Sequence, residues 1–437
     1  MRRLLLFLLV ISSEVRAEPW LGARFARNCQ GCHEPERLQR AAIDRRCSLS
    51  CQGCHVNPNG GGLRSQYGKW TEDHWLKTFN MRREPPTSED FVPKVPPGSP
   101  RTDEMTKNQK AYKYHLSKND PWRQMAASKW DGGVDARWFS GMSVTSKNGE
   151  ITRKSAHFPM ALNLGVRYRP FYRHLHLVYE SQIVNSPAPK SHVADYFSRS
   201  KSKSLYVMIE DMPWNTFVMA GIYKPLFGNV DPYHYSLTQQ MTSVALKNSR
   251  SAYDFNYPAV SVGTAPNVPY ANFHLIGSRV GSQDESSGVA GNLGFRGVRY
   301  GQSLNYSFWI SADKQNQTYI QMHALGVFLN KTPWTLSYEA TALARREGSD
   351  RRQGGVQAFD LYLQTWRNIY LQAGFQSANV TTELKSGNSA QLRFGLRSFL
   401  FPGFEFGLHW ELFRQRDFFE IEDMIKQSLQ LNVHSFY

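Results

Sequence analysis

Over the last three-quarters of this 437-residue chain, apolar and polar residues alternate in runs of about ten positions. Clear examples lie at 162–168, 304–310, 392–397 and 404–412. Strict alternation is typical of a β-strand whose two faces meet different surroundings. A soluble β-sandwich shows the same pattern. The alternation therefore predicts a mainly β fold, but it does not by itself show whether the outer face meets water or lipid.

Three further features favour a barrel that crosses a membrane. The runs approach the roughly 9–11 residues that a tilted strand needs to span a bilayer. Short connections alternate with longer ones, as periplasmic turns and external loops do in outer-membrane barrels. The short turns are predicted at 170–172, 211–215, 331–332, 367 and 402, and the longer loops at 186–203, 345–354, 378–388 and 414–426. The final segment, 429–437, alternates and ends in Tyr437, which resembles the assembly signal of such barrels.

Counting strands backward from the C-terminus predicts an antiparallel transmembrane β-barrel of about sixteen strands over residues 126–437. Segment 225–256 is then a long loop, which we expect to be able to fold into the lumen. Sixteen strands enclose a lumen wide enough for water or for a plug. Four arginines fall on the lumen side of the pattern, namely Arg167, Arg169, Arg393 and Arg397.

The N-terminus has the layout of an export signal. Arg2 and Arg3 precede an apolar run at 4–11, and small residues lead to Ala17. That run is too short to cross a bilayer as a helix. We therefore expect residues 1–17 to be a signal peptide, cleaved after Ala17. Although the formal net charge is +16, export and the scattered basic residues argue against nucleic acid as a partner.

Two copies of the C-x-x-C-H sequence follow, as Cys29-Gln30-Gly31-Cys32-His33 and Cys51-Gln52-Gly53-Cys54-His55. This is the attachment motif of c-type haem, in which two thiols bind the porphyrin vinyl groups and the histidine ligates the iron. A zinc site does not require a histidine after both cysteine pairs, and a disulfide framework would leave a fifth cysteine over. The sequence therefore predicts two covalently bound haem c groups, with His33 and His55 as proximal ligands.

Each haem iron in an electron-transfer cytochrome usually takes a second axial ligand, histidine or methionine. Residues 18–125 contain two histidines outside the motifs, His74 and His115, which predicts bis-histidine coordination of both irons. The available substitutes are Met81, Met105 and Met125. For the fifth cysteine, Cys47, we expect a structural role beside the second haem.

These signals divide the chain into a signal peptide, a dihaem cytochrome c region at 18–125 and a barrel at 126–437. The cytochrome region includes a proline-rich linker at 84–100, and such tracts act as semi-rigid spacers. The four lumen arginines could together offset the charge of haem propionates held in the pore.

The order of export signal, N-terminal C-x-x-C-H region and C-terminal barrel resembles the fused porin–cytochrome family, which includes iron-oxidising outer-membrane proteins. The resemblance covers nearly the whole chain. It implies that the haem domain occupies the barrel and passes electrons across the outer membrane, with Cys29, Cys32 and His33 in the family's haem role. The second motif is a departure, because iron-oxidising members typically have a single haem. This departure weakens the case for an iron substrate and leaves electron conduction unaffected.

The leading hypothesis is therefore an electron conduit in the outer membrane of a Gram-negative bacterium, with its haem region periplasmic or in the lumen. It would exchange electrons between periplasmic c-type cytochromes and an extracellular redox donor or acceptor such as iron. One alternative is a diffusive porin with a tethered periplasmic cytochrome. A second alternative is a dihaem peroxidase-like enzyme, which would need one five-coordinate iron. Spare histidines equal in number to the haems favour electron transfer over an enzyme.

Overall fold

The computed structural model describes Val56 and most of the chain from residue 129 onward. The described ranges are 129–170, 175–186, 189–197, 201–212, 216–228, 256–264, 270–278, 287–296, 303–313, 317–331, 333–366, 369–382, 386–401, 404–416 and 423–436.

Sixteen antiparallel strands close into one barrel, in agreement with the predicted count. They are β1 (Trp130–Lys147), β2 (Glu150–Tyr168), β3 (Leu175–Asn185), β4 (Lys201–Met212), β5 (Thr216–Tyr223), β6 (Tyr257–Thr264), β7 (Tyr270–Ile276), β8 (Ser287–Arg296), β9 (Ser303–Asp313), β10 (Thr318–Lys331), β11 (Trp334–Glu347), β12 (Asp350–Trp366), β13 (Ile369–Thr382), β14 (Ser386–Phe401), β15 (Phe404–Arg416) and β16 (Met424–Phe436). Each strand pairs with the next, and β16 pairs with β1. Closure leaves no sheet edge unpaired, as a membrane-spanning sheet requires.

One short helix, α1 (Val193–Phe197), lies between β3 and β4. Among the described residues, no helix is both long enough and apolar enough to span a membrane.

The alternation in the sequence corresponds to the outer and inner faces of the barrel wall. On β4, Leu205, Val207 and Ile209 are exposed on the outside, whereas Tyr206 and Met208 are buried on the lumen side. Leucine, valine and isoleucine recur on the outer face of the other strands, as expected where the surrounding solvent is lipid. Exposed tryptophans lie at the end of the barrel where β1 begins, namely Trp130, Trp334 and Trp366. Tryptophan is enriched at the membrane interface, so these residues mark one boundary of the apolar band.

The five predicted short turns lie where the even-numbered strands end, after β2, β4, β10, β12 and β14. The long loop predicted at 345–354 is wrong, because β11 and β12 stay paired up to Glu347 and Asp350. A tight turn joins them, in which Gly348 has a φ of +56°. Similarly, β13 and β14 extend to Thr382 and Ser386, so most of the loop predicted at 378–388 is strand. At these strand ends the outward-facing residues, such as Arg346, Asn379 and Thr381, are polar, as expected beyond the bilayer, where the outer face meets water.

The predicted long loop at 225–256 lies between β5 and β6, and its first residues are described. The Phe227 side chain is 4% exposed and packs in a cluster with Trp309 and Met322, which face the lumen. The backbone N–H of Gly228 donates a hydrogen bond to the Ser307 hydroxyl over 3.0 Å. The loop therefore starts by turning into the lumen, as the sequence analysis predicted.

A closed barrel should resist unfolding in detergent at room temperature. We expect the protein to fractionate with the outer membrane and to run faster on SDS gels when unboiled than after boiling, because the paired strands keep it compact. Recovery in the soluble periplasmic fraction, or equal mobility of boiled and unboiled samples, would contradict the barrel.

Candidate functional site

One stretch of the lumen wall carries a buried apolar cluster. Its members lie on β3 to β6, beside buried polar side chains such as His176 and Ser261, and are Val178, Tyr206, Met208, Phe217, Met219, Tyr223 and Ala259. A water-filled barrel interior is normally polar. An apolar wall of this kind is better suited to contact with protein or with an apolar group than with water.

Val56 belongs to the same cluster and is 1% exposed. We call Val56 and the seven wall residues the Val56 patch. Val56 is the one described residue ahead of position 129, so a residue from the N-terminal region lies inside the barrel. In the sequence it directly follows Cys54 and His55 of the second C-x-x-C-H motif.

The predicted site residues themselves lie outside the described part of the chain. This holds for the attachment residues Cys29, Cys32, His33, Cys51, Cys54 and His55, for the predicted distal ligands His74 and His115, and for Cys47. Their roles stay predictions from the sequence.

Strand pairing aligns a row of side chains that the sequence did not reveal. Through successive pairs from β3 to β7, the register joins His176, Met208, Met219, Ser261 and His274. All five are buried, and the two histidines and two methionines are 0% exposed. Imidazole and thioether groups are the side chains that most often complete haem iron coordination. No local pattern could have revealed this row, because each residue comes from a different strand.

The two histidines of the row have different surroundings. His176 is tied to charged neighbours, since its Nε2 lies 2.7 Å from a Glu210 oxygen and its Nδ1 lies 3.3 Å from Arg167. Both nitrogens of His274 are buried without a hydrogen-bond partner among the described residues. The His274 ring instead faces Tyr223 of the Val56 patch, with the ring centroids 6.0 Å apart. Within the described part of the chain, the His274 imidazole is therefore not held by any hydrogen bond.

Another part of the wall, on β14 to β16, carries charged side chains that are paired with one another. Glu405 contacts both Arg397 and His434, and the Nδ1 of His434 lies 2.9 Å from the carboxylate. Arg393 lies 3.7 Å from Glu411, which accepts a 2.7 Å hydrogen bond from the amide of Gln430.

The four arginines predicted to face the lumen are all buried on the inner side of the barrel. Arg167 pairs with Asp131, as Arg393 and Arg397 pair with glutamates. The expectation that the four arginines together offset haem propionates is therefore corrected for Arg167, Arg393 and Arg397, because wall carboxylates already neutralise them.

A closed barrel of sixteen antiparallel strands, apolar outside and largely polar inside, defines a porin-like protein of the outer membrane. Among solved structures, the chain is similar to in-vitro folded OmpT, an outer membrane protein of Vibrio cholerae, with a TM-score of 0.51 and 7% identity over 70% of this chain and 98% of that one. A loop L8 deletion mutant of OmpT gives a TM-score of 0.50 and 7% identity over 70% and 99% of the two chains. An anion-selective porin from Comamonas acidovorans aligns with a TM-score of 0.49 and 12% identity over 70% and 100%. The likeness is one of fold.

No protein-family model matches the sequence, and comparison with curated proteins gives no match.

Proposed function

We propose that this porin-like barrel is an electron conduit across the outer membrane. In this proposal Cys29, Cys32 and His33 hold one haem c, and Cys51, Cys54 and His55 hold a second. The observation that carries the proposal is the burial of Val56 in the lumen. Consecutive Cα atoms lie about 3.8 Å apart. His55, one peptide bond before Val56, would therefore enter the lumen with it, as would the motif that it completes.

The Val56 patch fits a haem-bearing segment. A haem c group would supply reversible one-electron chemistry at its iron. Met208, Met219 and Phe217 would shield that group from water, and burial together with the axial ligands sets the potential at such a centre. The lipid-facing outer wall, with Leu205 and Val207, would insulate the path from the bilayer.

The proposed partners follow from the two ends of the barrel. At the end with the short turns, periplasmic c-type cytochromes would exchange electrons with residues 18–125. At the other end, an extracellular donor or acceptor such as iron would exchange electrons with the haems. The hydrocarbon core of a bilayer is about 30 Å thick. Two haems placed one after the other along the lumen would replace one long electron-transfer step across it with shorter steps.

The second candidate is a diffusive porin with a tethered cytochrome. The porin-like fold itself favours it, as does the polar wall of β14 to β16, since polar and charged side chains line the lumen of water-filled channels. The two candidates differ in whether the N-terminal region occupies the lumen or hangs outside it. The burial of Val56 is our reason for preferring the conduit.

Proteoliposomes test electron conduction directly. With reduced methyl viologen inside and a soluble ferric chelate or a ferric mineral outside, we expect the haem-loaded protein to oxidise the internal dye within seconds to minutes. The matched control is the same barrel produced without haem attachment, in the variant with all four motif cysteines changed to alanine. Equal rates for both proteins, or no oxidation by a protein that carries two haems, would contradict the conduit.

A further inference from the structure

We propose that His274 on β7 is the distal axial ligand of the haem held by Cys51, Cys54 and His55, so that the barrel wall completes this iron site. This proposal rests on the proposed function, because it requires a haem in the lumen. It differs from the sequence-based prediction, which assigned both distal ligands to His74 and His115.

The position of His274 in the wall aims its ring at the lumen. Along β7 the buried side chains alternate strictly with exposed ones, and His274 shares the buried face with Tyr270, Asn272 and Ile276. Its neighbours in register are small, with Ser261 on β6 and Ala290 on β8. Neither neighbour has a ring or a long side chain that could lie across the imidazole.

The imidazole also lacks the contacts that normally justify a buried histidine. Neither ring nitrogen has a hydrogen-bond partner among the described residues, although the side chain is 0% exposed. Buried polar groups are hydrogen-bonded in most proteins, and an exception calls for a further partner such as an ion. An iron atom would satisfy one nitrogen of His274, as it does in bis-histidine haem sites.

Tyr223 connects His274 with the Val56 patch. Tyr223 belongs to the same cluster as Val56, and its ring lies 6.0 Å from that of His274. His55 precedes Val56 in the chain and is the predicted proximal ligand. One ligand would thus come from the segment inside the lumen and the other from the wall that faces it.

Three other histidines of the described wall are already engaged, and His409 lies on β15, away from the strands β3 to β7 that carry the row. His176 is engaged by Glu210 and Arg167, and His434 by Glu405. His323 lies on the outer face, with its Nδ1 2.7 Å from the Tyr306 hydroxyl. Met208 and Met219 lie in the same row as His274. They are the alternative distal ligands that the experiment must distinguish from His274.

The test is spectroscopic and uses the full-length protein with both haems attached. In His274→Ala we expect haem content to stay at two per chain, since attachment depends on the cysteines. Ferric electron paramagnetic resonance and the visible spectrum should show that half of the low-spin signal is lost and replaced by high-spin iron. Added imidazole should restore the low-spin signal, which it would not do if His274 had only a structural role. The matched control, His323→Ala, should retain the full low-spin signal.

A second variant covers the case in which His274→Ala fails to fold. In His274→Met, a thioether replaces the imidazole, so the iron should stay low-spin while the potential of one haem rises. An unchanged low-spin spectrum in His274→Ala, or two unchanged potentials in His274→Met, would overturn the assignment and favour Met208, Met219 or the predicted His74 and His115. Absence of haem from the wild-type protein would instead overturn the proposed function.

Discussion

Produced in a host that attaches c-type haem, the wild-type protein should carry two covalent haems per chain, and the Cys51→Ala, Cys54→Ala double variant should carry one. Each pair of thioether bonds depends on the two cysteines of its own motif. Removing the second pair therefore abolishes one attachment completely and leaves the first motif unaffected. Mass spectrometry under denaturing conditions and haem staining after SDS electrophoresis measure both numbers.

Cys47→Ala is the matched control for this prediction. Cys47 lies four residues before Cys51 but outside either motif, so its loss should leave both haems attached. A wild-type mass that corresponds to one haem, or a haem-free protein that contains zinc, would contradict our interpretation of the second motif.

Introducing a charge at position 56 should open the lumen. In Val56→Asp, a carboxylate would face Met208, Met219 and Phe217, and burying an unpaired charge among apolar groups costs several kcal/mol. We expect the N-terminal segment to leave the Val56 patch, and the single-channel conductance in planar bilayers to rise several-fold over that of the wild type.

The matched control for this experiment is Val193→Asp. Val193 lies on α1 between β3 and β4 and is 75% exposed, so the same change there should not alter conductance. A wild-type conductance that is already as high as that of Val56→Asp would favour the diffusive porin, because the lumen would then be open.

The strand count could be predicted from the sequence because lipid imposes a simple rule on one face of the wall. Positions such as Leu205, Val207 and Ile209 must be apolar where they meet the bilayer, while the inner face has no such constraint. Beyond the bilayer, the outward-facing positions no longer have to be apolar. For this reason the paired segments on either side of Gly348, rich in Arg345, Arg351 and Arg352, resembled a loop in the sequence.

The two predicted haem motifs could be recognised in the sequence for a different reason. Two thioether bonds and an iron ligand from one short segment require a fixed local spacing, and a spacing of this kind survives in the sequence as C-x-x-C-H. An iron ligand supplied by the barrel wall does not need a fixed spacing from other residues in the sequence. His274 is brought into line with Met219 only by the register of β5, β6 and β7, which no local pattern encodes.

The even number of strands has a consequence for biogenesis. β1 starts and β16 finishes at the same mouth of the barrel, the one that bears the short turns, and the two strands pair from Asp135 and Phe436 onward. Because short turns are periplasmic, the chain ahead of β1 reaches the lumen from the periplasm. Val56 must therefore pass through that mouth or be enclosed as β16 joins β1. A haem held by the second motif, as proposed above, would enter by the same route, and in the case of enclosure its attachment would have to come before the last strand pair closes.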